Sequence, residues 1–126
     1  MNYQDVTIRI PAVPTRDVSP NGRAHWGKRH RAVKQLRNAT TWSLRPVGSV
    51  KYPELPWKVD YIVAWGYRQK SWDDDNLISG LKPIRDSIAE DAGIDDRHIS
   101  TGSVTQIRDP QRLGYVEVTI RGGKPQ

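Results

Sequence analysis

Cysteine is absent from the 126 residues, which excludes a disulfide framework, a thiolate zinc site and a cysteine nucleophile. No apolar run is long enough to span a bilayer. The start, MNYQDVTIRIPAVP, alternates like a strand and carries an acid, where a signal peptide would have a basic start and a continuous apolar stretch. A soluble, cytoplasmic protein is therefore expected. Internal repeats, low-complexity tracts and an HExxH pairing for His25, His30 or His98 are also missing; His25 or His30 is better suited to phosphate than to metal. Between Val18 and Pro53 there is not one Asp or Glu, whereas the same stretch holds eight Lys or Arg: Arg23, Lys28, Arg29, Arg31, Lys34, Arg37, Arg45 and Lys51. With a net charge of +6, the chain's field attracts polyanions, of which nucleic acid is the commonest.

The length suits one domain over residues 1–126, with 122–126 frayed. Hydrophobic residues make up 36% and charged residues 27%, and five Trp and five Tyr are available to anchor a core. Val6, Ile8 and Ile10 alternate with polar neighbours and predict a strand from about Tyr3 to Ile10. A turn-rich segment leads to Ala32, Val33, Leu36 and Ala39 at helical spacing, predicting a helix from Trp26 to Leu44. Val59, Tyr61, Val63 and Trp65 predict a largely buried strand over Trp57 to Tyr67. Leu77, Leu81, Ile84 and Ile88 place one stripe on a helix that ends at Gly93, with Pro83 kinking it or delaying its regular start. Ile99 to Ile107 and Tyr115 to Ile120, separated by RDPQRLG, read as a terminal hairpin. The predicted class is α/β (α+β): a single domain in the order β-α-β-α-β-β, a mixed sheet with helices packed on it.

The chemically unusual segment is Ser71-Trp72-Asp73-Asp74-Asp75-Asn76. The bland reading makes these carboxylates a helix cap, which is the commoner use of clustered Asp. One cap needs only one or two acids, however, and a second pair, Asp95 and Asp96, follows the same helix. On an extended segment Asp73 and Asp75 would point to one side and Asp74 to the other, so two could converge on a hard cation. Oxygen ligands favour Mg²⁺ or Mn²⁺ over zinc. Helical spacing from Asp75 runs through Ser79, Lys82 and Asp86. Lys82 is thus either an ordinary lysine paired with Asp86 or a cation for a phosphoryl transition state. The basic stretch read alone is a solvated helix face; beside a metal-like acidic cluster it suits a nuclease, which must grip phosphates and hold a metal at once.

The run DDDNLISGLKPIRDSIAEDAGIDD resembles the signature of RusA-type Holliday junction resolvases, crossover junction endonucleases common in phages and prophages. In that family Asp-x-Asp-Asn-Leu opens a helix bearing a lysine and a further Asp, and an Asp-Asp pair follows a Gly turn; here these are Asp73, Asp75, Asn76, Leu77, Lys82, Asp86, Gly93, Asp95 and Asp96. VTIRIPAVP, Ser19-Pro20-Asn21 and the Arg23 to Arg37 run resemble the family's beginning. One position departs: the family lysine stands four residues after the second Asp, where this chain has Ser79, and Lys82 stands seven after it. The resemblance implies a RusA-like fold, metal ligands Asp73, Asp75 and Asp96, with Asp95 and Asp86 as lesser candidates, and Lys82 assisting at the scissile phosphate. DNA contacts are expected from Asn21, Arg23, Lys28, Arg29, Arg31, Lys34, Arg37 and Asn76.

The expected function is a Mg²⁺-dependent, structure-selective endodeoxyribonuclease that resolves four-way DNA by paired symmetric nicks during recombination and repair, in the cytoplasm of a bacterial or phage-infected cell. Two symmetric cuts imply a homodimer with one site per subunit. Three alternatives stay open: a non-catalytic DNA-binding regulator on the same fold, a metal-dependent nuclease for flaps or other strands, and a purely structural role for every charge.

Overall fold

The computed structural model describes residues 5–15, 26–45 and 52–123. The elements are β1 (Val6–Ile10), α1 (Trp26–Leu44), β2 (Trp57–Trp65), α2 (Asp74–Gly80), α3 (Lys82–Ala92), β3 (Ile99–Arg108) and β4 (Tyr115–Gly122), with a 3-10 turn at Asp96–His98. They form a single α+β domain around a four-stranded mixed sheet in the order β1-β4-β2-β3.

The alternating sequence explains the sheet's two faces. Register aligns Val6, Ile120 and Val59 in one row, Ile8, Val118 and Tyr61 in the next, and Ile10, Val116 and Val63 in a third. All nine side chains are buried. Leu36 and Leu44 of α1 and Leu77, Leu81, Ile84 and Ile88 of the second helical segment complete the same core, each full burial contributing about 1.5–3 kcal/mol. On the other face, Thr7 meets Thr119 at 3.1 Å, Arg9 meets Glu117 at 3.2 Å and Arg121 meets Asp60 at 2.7 Å, a polar cross-strand lattice.

α1 has the expected bounds. Its buried line is Leu36, Thr40 and Leu44, while Ala32, Val33 and Ala39 are only half-buried. Thr40 enters the core because its hydroxyl donates to the Leu36 carbonyl at 2.8 Å, leaving no polar atom unmet. The second helical segment is interrupted where proline requires it: α2 ends at Gly80, Leu81 serves as the boundary, and Pro83 sits in the first turn of α3, where its missing N–H costs little. Gly93 closes α3 at φ 70°, the left-handed cap glycine favours.

The terminal hairpin is not formed. β3 lies parallel to β2, and β4 pairs antiparallel with both β1 and β2. α2 and α3 supply the crossover that parallel strands need. The segment after β3 is then tied to the end of β2, Asp109 N–H to Trp65 O at 2.9 Å and Tyr67 N–H to Arg112 O at 3.0 Å, and carries the chain to the far side of that strand. Burial shows why: β4 alternates with three fully buried residues and needs neighbours on both sides, whereas β3 is largely exposed and polar, as an edge strand should be. The same tie, with Gln69 N–H donating to Gly66 O at 3.2 Å, ends β2 at Trp65, two residues before Tyr67. Among the described residues no helix is long and apolar enough to cross a membrane.

Candidate functional site

The acidic segment is held in place by a residue that sequence patterning passed over. Gln106 of β3 accepts at Oε1 from the Trp72 backbone N–H and from the Trp65 indole, both at 2.9 Å, and its Nε2 donates to the Trp72 carbonyl at 2.8 Å. The rings of Trp65 and Trp72 stack with centroids 5.9 Å apart. Trp72 also lies against Gly80, where any Cβ would come within 2.7 Å of its Cζ3. Trp72 is thereby fixed between β3 and α2, and Asp73 follows directly.

Asp73, Asp74 and Asp75 do not alternate along an extended segment. Asp73 is the extended N-cap of α2, and Asp74 and Asp75 form its first turn. Helix formation wins here because carboxylates are favourable near the positive end of a helix and Leu77 is fully buried one turn on. The position is that of a cap, yet the Asp73 side chain makes no capping hydrogen bond. All three carboxylates are exposed.

The second acidic pair divides. Asp95 caps the 3-10 turn, its Oδ1 accepting from Arg97 N–H at 2.9 Å. Asp96 is exposed, and its backbone carbonyl is gripped by Arg85, which donates from one Nη to Asp96 O at 3.0 Å and to Ile99 O at 2.5 Å. Asp96, Arg85, Lys82 and Ser79 line one cleft of ≈ 230 Å³ floored by Tyr61 and Leu81. Asp75 lies one helical turn before Ser79. Burial pushes the Tyr61 phenol well above its usual range, so it stays neutral there. Lys82 pairs with Asp86 at 3.0 Å, the ordinary i,i+4 arrangement, while facing the same cleft.

Among the described residues no three His, Asp or Glu side chains lie close enough together to hold a metal ion, so Asp73, Asp75 and Asp96 are not gathered into a closed nest. The donor set still suits a hard cation in kind: it consists of exposed carboxylates without side-chain partners among the described residues, and Mg²⁺ is usually held by one or two carboxylates with water and substrate phosphate completing its shell.

Of the expected DNA contacts, Lys28, Arg31 and Lys34 are exposed on α1, and Arg29 and Asn76 are half-buried. Arg37 is engaged with Glu90 of α3. Asn21, Arg23 and His25 lie outside the described residues. His30 stacks on Trp26 with centroids 5.4 Å apart. Gln106 was missed because it stands outside the motif, and Arg85 because it is none of the motif's matched positions; their contacts with the acidic segments are tertiary.

No protein-family model matches the chain. It is 34% identical over 112 residues to an uncharacterized protein of Xylella fastidiosa (strain Temecula1), covering 86% of this chain and 72% of that one. The chain belongs to the family of that protein.

Proposed function

We propose that the chain is a Mg²⁺-dependent, structure-selective endodeoxyribonuclease that resolves four-way DNA junctions by paired symmetric nicks, acting as a homodimer. The observation that carries this reading is the unemployed state of four carboxylates. Asp73 occupies a cap position without capping, and no hydrogen bond or ion pair engages the Asp74, Asp75 or Asp96 side chain among the described residues. Clustered like charges raise the free energy of a fold by more than a helix start needs, so acids with no hydrogen-bond or ion-pair partner among the described residues are accounted for by a cation they share with substrate. The order of these acids resembles that of RusA-type resolvases, and the exposed cations of α1 supply phosphate contacts.

One or two of Asp73, Asp75 and Asp96 would hold the metal, with water and a substrate phosphate completing its shell. Bound there, it would lower the pKa of an attacking water and neutralise charge on the scissile phosphate. Arg85 positions Asp96 by pinning the turn that carries it. Lys82, which lines the cleft and pairs with Asp86, would meet a phosphate oxygen seated there. Junction preference would come from the shape and phosphate spacing of the four-way DNA, with a second copy supplying the symmetric cut.

The test is cleavage of a labelled synthetic four-way junction beside matched linear duplex, by wild type and Asp75→Asn, in Mg²⁺ and in EDTA. Paired nicks on the junction alone, lost with Asn or EDTA, are expected. Tight junction binding without cutting in Mg²⁺ or Mn²⁺ would overturn the nuclease in favour of a DNA-binding regulator, and cutting of flaps in preference to junctions would reassign the substrate.

A further inference from the structure

Just upstream of the acidic segment, the chain builds a surface that neither the motif nor the basic helix explains. Residues 66–72 leave β2 and lie against the loop between β3 and β4. A Cβ on Gly66 would come within 2.8 Å of the Leu113 backbone, and Tyr67 N–H donates to Arg112 O at 3.0 Å. Tyr67 is 62% exposed, and two guanidiniums lie over its ring, Arg68 at 5.2 Å and Arg112 at 5.7 Å from the centroid. Both arginines adopt φ 63°, a backbone state that favours glycine. Beside them runs a groove of ≈ 300 Å³ lined by Pro14, Trp65, Arg68, Lys70 and Trp72.

Among the described residues Arg68, Lys70 and Arg112 form no ion pair and no carboxylate lines the groove. The one acid of the adjoining loop, Asp109, is spent on the backbone N–H groups of Gln111, Leu113 and Gly114. Flat aromatic faces interleaved with unneutralised cations are what single-stranded nucleic acid requires, bases stacking on the rings and phosphates meeting the charges. A duplex offers only its phosphates to such a surface.

We infer that the exposed Tyr67 ring and the groove beside it bind an unpaired nucleotide of a DNA strand, its base on Tyr67 and its flanking phosphates on Arg68, Lys70 and Arg112. Trp72 adjoins Asp73, so a strand seated there runs on toward the acidic segment. The binding step does not rest on the nuclease reading.

The experiment is fluorescence anisotropy of a labelled oligothymidine, against a matched duplex and an Asp/Glu-rich peptide as competitor. It uses the full chain in EDTA, so that cleavage plays no part and failure of the nuclease reading leaves the result standing. Tyr67→Ala and Arg112→Gln are expected to weaken single-strand binding about ten-fold with duplex affinity nearly unchanged, and Tyr67→Phe to retain it. Thermal melts matching wild type confirm that the variants fold. Unchanged oligothymidine affinity in Tyr67→Ala, equal losses on strand and duplex, or competition by the acidic peptide at oligothymidine concentrations would overturn the inference.

Discussion

Two sets of aspartates share this fold and are treated in opposite ways. Asp109 is buried, with three backbone N–H groups converging on it. The bonds from Gly114 and Gln111 hold its carboxyl below the usual range, outweighing the upward push of burial, with Leu113 and the Arg9 charge assisting. Burial pushes Asp60 up, but the Ser103 N–H and Arg121 together hold it below the usual range. Among the described residues the Asp73, Asp75 and Asp96 side chains have no such partners. The contrast teaches that an acid engaged on all sides is part of the architecture, while a cluster left open at one end of a helix is the place to look for chemistry.

The largest expected effect comes from the open set. Asp75→Asn or Asp96→Asn should lower junction cleavage by about two orders of magnitude or more while changing unfolding free energy by less than about 0.5 kcal/mol. Added Mg²⁺ should also raise the melting temperature of wild type but not of Asp75→Asn, a readout independent of turnover. If Asp75→Asn melted well below wild type, the distinction between the sets would collapse.

Next comes the packing around Asp60. A Cβ at Gly102 would lie 2.1 Å from Asp60 Oδ1, which accepts from Ser103 N–H at 2.7 Å. Gly102→Ala should therefore cost about 1–3 kcal/mol in urea unfolding and leave cleavage by the folded protein intact.

Acid titration sharpens the comparison further. Because the folded pKa values of Asp60 and Asp109 are depressed, their stabilisation is fully present above about pH 4, the unfolded value, and is lost as the pH falls through the lower folded values. Melting between pH 2 and pH 6 should show a shallower acid slope for Asp109→Asn than for wild type; an identical slope would remove Asp109 from the engaged set. The smallest effect belongs to Lys82→Met, whose exposed pair with Asp86 is worth about 0.3–0.5 kcal/mol. Its cleavage defect should far exceed that loss.

Regular periodicity carried most of the elements into view before any coordinate. The Trp26–Leu44 helix, the Gly93 cap and the interruption near Pro83 follow from spacing and backbone sterics alone. The hairpin expectation failed because local patterning cannot tell a central strand from an edge strand; what separates them is that Val116, Val118 and Ile120 find partners on both sides whereas Thr101, Thr105 and Gln106 do not. The acidic segment stood out as chemistry, yet its helical start and the clamp from Gln106 depend on contacts between β3 and the loop before α2. The ligand roles expected of Asn21 and Arg23 fall outside the described residues.

The placement of β4 bears on the order in which the molecule assembles. Among the described strands β1 pairs with β4 alone, so Thr7 must wait for Thr119, 112 residues away in sequence. A nascent chain that has emerged only through β3 can dock its helices on a two-stranded parallel ribbon, but the row from Val6 through Ile120 to Val59 is open and β1 has nothing to pair with. Closure of the core is thus postponed until one late strand threads between two early ones, a route that is slow because long loops must close before their contacts stabilise anything.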